Sequence, residues 1–393
     1  MVDPFQLINT PNIIFGPGKI KELPVQAGKY GKNVLLIHGS GSFIQSKKGE
    51  EIIASLDDNG FRLSKASVGH EPSPALIDGI VQENVQNNID LVVAIGGGSV
   101  LDTGKAVSAM LPLNEPVKQY LEKVGSRKPT GKKLPFIAIP TTSGTGSEAT
   151  NNAVISEVGE KGFKKSLRHN NYVPDLALLD PELVLSCPPE ITAASGMDAF
   201  TQLLEAYVST KASVLTDAWA WEGLKAVHRS LERAVYQGND LEARTDMSLA
   251  ALLSGIVLAN AGLGLVHGFA SSIGGLIDMP HGQVCGTLMA AVHGSNIKAL
   301  QVNDPKSVVL NKYVKVGVLF SGETLQEQSD DYYLDQLIWR LNKMTDSFGL
   351  ERFGRYGMTK SQAAEIAKEK TGNKNNPVSF SAEARRDILM RRL

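Results

Sequence analysis

Cysteine is scarce in this sequence, whose 393 residues include only Cys187 and Cys285. The two lie far apart and form no CxxC pair or zinc-ribbon spacing, so we expect two reduced thiols rather than a disulfide framework. An excess of charge is also lacking, because the formal net charge is −1. A chain this close to neutral gives no electrostatic reason to expect nucleic acid or an anionic membrane as a partner.

The N-terminal residues 1–5 lack the basic and apolar regions of a secretory signal. Asp, Glu, Lys and Arg are absent between Asp246 and Asp278, a length that could span a bilayer. Several serines and glycines and one histidine interrupt this stretch, so a helix pair buried in a large domain explains it better. We therefore expect a cytoplasmic protein with no membrane partner.

Three short apolar runs mark the first half, at residues 34–37, 91–95 and 136–139. Each is followed by a loop of glycine, serine or threonine, and residues 46–59 and 73–88 between the first two runs carry apolar side chains at helical spacing. Strands separated by helices predict a parallel sheet. Ligands of such sheets bind at the carboxyl ends of the strands, where these loops fall.

The second half, from about Pro188, carries long helical patterns such as residues 218–236 and 241–258, and no repeated β run. A chain of 393 residues is longer than one core usually serves. We predict an α/β dinucleotide-binding domain over residues 1–185. An all-helical domain over residues 186–393 would then bind metal and substrate.

The loop after the second apolar run, from Gly96 to Ser99, leads into the start of a helix. Glycines let the backbone approach a pyrophosphate, and free N–H groups at a helix start favour an anion. This loop is not a GxGxxG motif, and a purely structural role stays open for it alone. The second loop, residues 141–148, adds hydroxyl groups at another strand end, and the two together favour a nucleotide.

A candidate metal site lies in the second half. Asp198 and Gln202 are four residues apart and share one helix face, and His267 and His281 follow fourteen residues apart. A carboxylate and two imidazoles in an apolar setting are costly unless they are paired or bind metal. The residue types suit Fe²⁺ or Zn²⁺, although a single histidine is more often structural and the spacing does not prove convergence.

Five motifs occur in a characteristic order: GGGSxxDxxK at 96–105, PTTSGTGSE at 140–148, GMDA at 196–199, VHG at 266–268 and PHG at 280–282. In this combination the sequence resembles the iron-containing (group III) alcohol dehydrogenase family over nearly its whole length. The resemblance implies a dehydroquinate synthase-like fold, in which an α/β nucleotide-binding domain and a helical domain enclose a cleft. It also implies a homodimer or a larger homo-oligomer.

The resemblance assigns roles to individual residues. It implies that Asp198, His267 and His281 bind the metal and are catalytic, and that Asn152 and Lys165 face the nicotinamide ribose. The remaining cofactor-binding residues are those of the pyrophosphate motif, Gly97, Gly98, Ser99 and Asp102, and those along the cofactor, Thr141, Thr142 and Thr145.

Two positions depart from the family pattern at the metal. Gln202 stands where the family usually has a histidine ligand, and we expect its amide oxygen to be a weaker fourth metal ligand. Ser271 stands where some members carry a further histidine near the substrate. Proton transfer would then run through water, Ser271 or the cofactor ribose.

A third departure concerns the choice of cofactor. NAD-preferring relatives often have an aspartate at the position of Gly39, where it binds the ribose 2′-hydroxyl and repels a 2′-phosphate. Here the loop is small and hydroxyl-bearing, and we count Gly39, Ser40 and Ser42 among the cofactor-binding residues. With Lys47 and Lys48 nearby, the loop favours NADP over NAD.

These observations predict an NAD(P)-dependent enzyme that interconverts a primary alcohol and an aldehyde, with a small molecule as its only partner besides its own copies. A metal-independent reductase of an oxo-acid, similar to maleylacetate reductase, is the alternative that Gln202 and Ser271 support. A lyase similar to dehydroquinate synthase would need a site rich in Lys and Arg, which the sequence does not show. A non-catalytic nucleotide-binding protein also stays open.

Overall fold

The computed structural model describes residues 4–41, 43–159, 162–324, 327–369 and 375–393. It confirms the expected order of an α/β half followed by a helical half. The eight strands within these residues are β1 (Asn12–Phe15), β2 (Asn33–Gly39), β3 (Arg62–Val68), β4 (Leu91–Gly96), β5 (Phe136–Pro140), β6 (Asn152–Glu157), β7 (Phe163–Arg168) and β8 (Leu176–Leu179).

Six strands form one parallel sheet in the order β1-β8-β5-β4-β2-β3. The chain leaves β2 toward β3 on one side and returns to β4 on the other, so the strand order reverses between β2 and β4. Such a reversal opens a crevice at the carboxyl ends of the strands. Gly96 is in register with Pro140, so the two glycine-rich loops that follow β4 and β5 are neighbours.

Helices cover both faces of this sheet. They are α1 (Leu23–Ala27), α2 (Lys47–Asp58), α3 (Pro74–Asn84) and α4 (Gly98–Met110). Because alternate residues of a strand point to opposite faces, Leu36 packs with α1 and α2, whereas Leu35 packs with α3 and α4. This alternation explains why the central strands read as continuous apolar runs.

Serine caps define the starts of the two helices that the spacing predicted. The Ser46 hydroxyl accepts a hydrogen bond from the Gly49 N–H at the start of α2, and Ser73 accepts one from the Leu76 N–H at the start of α3. Each cap satisfies an N–H group that has no partner within the helix. α3 ends four residues before the predicted position 88, at Asn84.

The second half contains nine helices among its described residues: α5 (Pro189–Tyr207), α6 (Val214–Tyr236), α7 (Leu241–Ala261), α8 (Leu265–Leu276), α9 (His281–Asn303), α10 (Val308–Ser321), α11 (Asp330–Ser347), α12 (Lys360–Lys368) and α13 (Ala382–Met390). The proposed boundary at residue 185 falls between β8 and α5. Residues of β8 nevertheless share a core cluster with the helices, so the two halves pack closely, and the boundary stays a prediction.

The uncharged stretch forms α7 and α8. Gly262, with φ of +67°, ends α7, and the two helices meet at an angle of 98°. Within the described ranges no single helix has the length and apolarity to cross a membrane, and only this bent pair does so when its members are combined. Leu252, Val257, Val266 and Phe269 of the pair are buried.

An antiparallel hairpin of β6 and β7 was not predicted from the sequence. It leaves the sheet after β5 and pairs Asn152 with Arg168. Its strands lack the apolar run of a buried parallel strand, because Lys164, Lys165 and Ser166 interrupt β7. The hairpin packs toward α8, since a Cβ added at Gly274 would lie 2.8 Å from the Lys164 side chain.

Candidate active site

A cleft of about 1020 Å³ lies between the α/β half and the helical half. It is large enough for a cofactor and a small substrate, since ligand sites usually measure ~300–1,000 Å³. Most of the predicted site residues line it: Gly97, Gly98, Ser99, Asp102, Thr142, Thr145, Asn152 and Lys165 from the first half, and Asp198, Gln202, His267 and His281 from the second.

Three of the described cofactor residues, Gly39, Ser40 and Thr141, do not line this cleft. Thr141 does not line it; its N–H donates to the Gly96 carbonyl oxygen and ties the two loops together. Gly39 ends β2, and the Ser40 N–H donates to Val68 of the neighbouring strand. Both lie beside the crevice rather than in the cleft wall. Ser42 lies outside the described residues.

The loop from Gly96 to Ser99 has the features that an anion-binding site needs. α4 begins at Gly98 with Gly97 as its N-cap, and no side chain caps the first turn. Its first N–H groups are therefore available to a ligand. A Cβ added at Gly98 would lie 2.7 Å from the Thr145 side chain, so the absence of a side chain at Gly98 lets the two loops approach each other.

Asp102 differs from the role expected of it. Its carboxylate accepts hydrogen bonds from the Ser147 hydroxyl and from the Val154 N–H. Both oxygens are thus used to fix the second loop and the hairpin. Although Asp102 lines the cleft, these contacts favour organisation of the loop over direct binding of a cofactor.

The buried Lys105 ammonium completes this attachment. It donates to the carbonyl oxygens of Ser147 and Asn152 at 2.7 and 2.8 Å and to the Thr150 hydroxyl at 2.9 Å. Burial lowers the pKa of Lys105 to about 8, although Asp102 opposes this shift. Lys105 therefore acts as a cross-link between α4 and the second loop.

Two residues expected at the ribose differ in how free they are. The Asn152 amide donates to the Ser166 hydroxyl at 3.2 Å and accepts from Arg168 at 3.4 Å, so the hairpin holds it. Lys165 lines the cleft and is more accessible than the adjacent Lys164, whose ammonium pairs with Glu71 at 3.0 Å. Lys165 is therefore the better placed of the two lysines to meet a ligand.

The burial of Glu148 in the second loop can be tested through the pH dependence of the free energy of unfolding. Burial raises the pKa of its carboxyl to about 7, although Lys105 opposes the shift. The folded protein therefore retains a proton that the unfolded chain loses, and this group lowers the free energy of unfolding as pH rises from about 4.5 to about 7. We expect Glu148→Gln to remove a fall of about 3 kcal/mol.

Urea unfolding of both proteins at pH 5 and pH 8 measures this difference. The variant should be more stable than the wild type at pH 8 and closer to it at pH 5. Glu83→Gln on the exposed surface of α3 is the matched control. An equal pH dependence in wild type and Glu148→Gln would contradict the assignment.

The predicted metal ligands converge on one point, and Cys285 joins them. The ligand atoms of Asp198, His267, His281 and Cys285 all lie within 4.8 Å of one another. His267 Nε2 is 3.2 Å from Asp198 Oδ1 and 3.5 Å from Cys285 Sγ, and His281 Nε2 is 3.7 Å from the same sulfur. Both cysteines are free thiols, as expected, but the sequence analysis did not place Cys285 beside the predicted ligands.

The protonation states of Asp198 and His281 favour a cation at this point. Burial would raise the pKa of Asp198, but His281 and His267 outweigh it and lower that pKa to about 2. Burial lowers the pKa of His281 to about 4 despite the Asp198 carboxylate. An ionised carboxylate and a neutral imidazole thus direct lone pairs at the same point, which fits a divalent transition metal. Burial would lower the pKa of His267, but Cys285, Asp198 and Glu205 outweigh it and raise that pKa well above its usual value, so a metal would displace a proton from this ring.

Gln202 does not offer its oxygen to this point. Its amide N–H donates to Asp198 Oδ2 at 3.2 Å, and its oxygen accepts from the Ser254 hydroxyl at 2.8 Å. The opposite amide orientation would place two oxygens against each other. The expectation that Gln202 ligates the metal therefore disagrees with its contacts, which instead orient the Asp198 carboxylate.

Glu205 is a site residue that the sequence analysis missed. Its buried carboxylate accepts the Val266 N–H at 2.7 Å and contacts His267 Nδ1 at 2.6 Å. A proton on Nδ1 leaves the lone pair on Nε2, so Glu205 fixes both the tautomer and the orientation of the ligand. Carboxylates commonly support metal-binding histidines in this way. Its spacing of seven residues from Asp198 on α5 was the available signal.

We expect Glu205→Gln to weaken metal binding by about 10–100-fold. Glutamine can accept from only one of the two N–H groups and places its own N–H groups against the other. Competitive titration of Zn²⁺ against a chromogenic chelator measures the affinity. Glu190→Gln, an exposed carboxylate in the same cleft, is the control, and an unchanged Kd in Glu205→Gln would contradict this role.

Nearly the whole chain, including residues of both walls of this cleft, matches models of known protein families. The family described as iron-containing alcohol dehydrogenase matches residues 10–181. The C-terminal part of the Fe-containing alcohol dehydrogenase family matches residues 192–393. The chain belongs to the iron-containing alcohol dehydrogenase family.

Individual members of the iron-containing alcohol dehydrogenase family agree with this assignment. Long-chain-alcohol dehydrogenase 1 of Geobacillus thermodenitrificans is 33% identical over 294 residues, 73% of this chain and 74% of that protein. NAD-dependent methanol dehydrogenase of Bacillus methanolicus is 34% identical over 71% of this chain and 72% of its own. The 1,3-propanediol dehydrogenase of Klebsiella pneumoniae is 33% identical over 74% and 75%.

Solved structures of the family share the fold over the whole chain. A 1,3-propanediol oxidoreductase has a TM-score of 0.87 at 26% identity and covers 100% of both chains. An alcohol dehydrogenase from Oenococcus oeni has a TM-score of 0.85 at 28% identity and covers 99% of this chain and 100% of its own. The predicted family and fold are thereby confirmed.

Proposed function

We propose that this alcohol dehydrogenase interconverts a primary alcohol and an aldehyde by reversible hydride transfer with NAD(P). The observation that carries the proposal is the convergence of Asp198, His267 and His281 in the same cleft as the glycine-rich loop at Gly98. The α/β half supplies the cofactor side of the cleft and the helical half supplies the metal side. The substrate oxygen would lie between them.

The chain's own residues hold and orient the cofactor, which supplies the hydride. The uncapped N–H groups at the start of α4 face the cleft and suit a pyrophosphate. Thr142 and Thr145 of the second loop line the same wall. Asp102 and Lys105 hold that loop in place, so this surface is preorganised before the cofactor arrives.

The other wall suits a divalent metal, Fe²⁺ or Zn²⁺, held by Asp198, His267 and His281. When bound, such a metal acts as a Lewis acid toward a substrate oxygen. Glu205 holds His267, and Gln202 holds Asp198, so these ligands are fixed by partners that are themselves buried. Fixed ligands reduce the reorganisation that the reaction would otherwise require.

Proton transfer has a restricted choice of groups. The Ser271 hydroxyl lines the cleft and donates to the His267 carbonyl oxygen at 3.0 Å. Its proton is therefore engaged, but its oxygen lone pairs remain able to accept from water. We propose that a proton moves through water beside Ser271 or through the cofactor ribose.

We propose a small, uncharged aldehyde as the substrate. Arg168 lines the cleft and could bind an acid, but its guanidinium donates to Glu122 at 2.8 Å. This ion pair reduces its availability for an anionic substrate. The relatives named above are described as acting on alcohols, which supports this choice over an oxo-acid.

We propose NADP(H) as the preferred cofactor. Gly39, Ser40 and Gly41 contain no carboxylate that would repel a 2′-phosphate. Lys48 is less available than the sequence suggested, because its ammonium pairs with Glu182 at 3.0 Å. Lys47, which is exposed at the start of α2, is therefore the better candidate for a 2′-phosphate.

Initial rates of NADPH and NADH oxidation with a panel of short and long aldehydes test the proposal. We expect turnover with uncharged aldehydes and a higher kcat/KM with NADPH. A higher kcat/KM with NADH would overturn the cofactor preference alone. Cofactor binding without turnover on any aldehyde or alcohol would overturn the activity.

A further inference from the structure

The group of four potential metal ligands includes the thiol of Cys285 and not the amide of Gln202. Cys285 follows His281 by one helical turn on α9, so both side chains project from the same face. The sulfur is fully buried with the three predicted ligands around it. We infer that Cys285 is the fourth metal ligand of this dehydrogenase and binds as a thiolate, an inference that rests on the proposed metal site.

Four of the six separations between the donor atoms are close to those of a tetrahedral site. Bonds of about 2.3 Å to sulfur and about 2.0 Å to nitrogen or oxygen separate S and N donors by about 3.5 Å, and N and O donors by about 3.3 Å. Cys285 Sγ lies 3.5 Å from His267 Nε2 and 3.7 Å from His281 Nε2. Asp198 Oδ1 lies 3.2 Å from His267 Nε2 and 3.9 Å from His281 Nε2. A metal bound at one position therefore fits three of these four donor–donor distances closely. A small shift of His281 toward Asp198 would bring the fourth distance to the expected value.

A simple hydrogen bond from the thiol does not account for the whole cluster. Such a bond would satisfy one imidazole nitrogen, yet the sulfur is nearly equidistant from two. Glu205 engages His267 Nδ1, which turns Nε2 toward both the sulfur and Asp198. Four electron-pair donors around one point are satisfied together by a cation.

Binding through sulfur also determines which metals the site favours. Coordination deprotonates the thiol and releases its proton to solvent. A thiolate is a softer donor than the amide oxygen of Gln202, and it favours zinc over Fe²⁺. The site would hold one thiolate, two imidazoles and one carboxylate.

Cobalt(II) substitution tests the inference by a signal that does not depend on turnover. The full-length protein is stripped of metal with a chelator and titrated with Co²⁺. A thiolate ligand gives an intense near-ultraviolet charge-transfer band, which carboxylate, imidazole and amide ligands do not give. We expect this band in the wild type and in Cys187→Ser, the matched control at the other cysteine.

Cys285→Ser should lose the band and bind Zn²⁺ at least about 100-fold more weakly, a loss at the upper end of that caused by removing a partner of a ligand. Cobalt bound in the wild type with visible bands but no charge-transfer band would overturn the role of Cys285 and leave the metal site intact. A band that persists in Cys285→Ser would do the same. Failure of the wild type to bind cobalt or zinc at all would overturn the metal site and this inference together.

Discussion

His267→Ala should lower kcat/KM for aldehyde reduction by about 1,000-fold or more and remove the bound metal. The imidazole would contribute one ligand of the proposed metal site, and it also contacts the buried carboxylate of Glu205. A Lewis acid stabilises the transition state by several kcal/mol, and each ~1.4 kcal/mol corresponds to a tenfold change in rate. Steady-state kinetics and metal analysis of the purified variant measure the two losses.

Cofactor binding should survive in this variant, because the loops at Gly98 and Thr145 do not contact His267. Fluorescence titration with NADPH therefore distinguishes loss of the metal site from loss of the fold. His169→Ala, a histidine whose ring accepts the Asn171 N–H outside the cleft wall, serves as the control. Retained activity in His267→Ala would remove this residue from the catalytic site.

Gly98→Val should raise the KM for the cofactor by about 10–100-fold without loss of the metal. The new side chain would meet Thr145 and cover the N–H groups at the start of α4. Hydrogen bonds to a charged group contribute ~1.5–3 kcal/mol each, and ~1.4 kcal/mol corresponds to a tenfold change in affinity. Kinetics at varied NADPH, with metal analysis alongside, measure the effect.

A matched substitution tests whether this effect belongs to the loop. Gly79→Val lies on the exposed face of α3, where an added Cβ meets no atom within 4 Å. It should leave the KM for the cofactor unchanged. Should Gly98→Val bind NADPH as tightly as the wild type, the pyrophosphate would have to lie elsewhere.

The features that the sequence predicted are those set by local patterns. Apolar runs followed by loops of glycine, serine or threonine placed β2, β4 and β5, and the parallel order of the strands then required their loops to share one edge. Asp198, His267 and His281 were found because such residue types are costly in an apolar setting without a partner. The family motifs supplied their common role.

The features that the sequence did not predict depend on contacts between distant segments. The sequence analysis compared Cys285 only with Cys187, which lies far away in the sequence. It overlooked that Cys285 follows His281 by four residues and therefore shares its face of α9. Glu205 on α5 contacts His267 only because the fold brings the start of α8 next to α5. Asp102 was assigned to the cofactor, but the hairpin and the second loop take both of its oxygens. The Gln202 amide oxygen likewise accepts a hydrogen bond from a distant residue, Ser254 on α7, and this contact cannot be read from the sequence.

Metal analysis of the purified protein, combined with assays of aldehyde reduction before and after chelation, decides whether Asp198, His267 and His281 form a catalytic metal site. We expect about one zinc or iron per chain, with activity lost to the chelator and restored by added metal. A protein that contains no metal and reduces aldehydes in the presence of the chelator would contradict it.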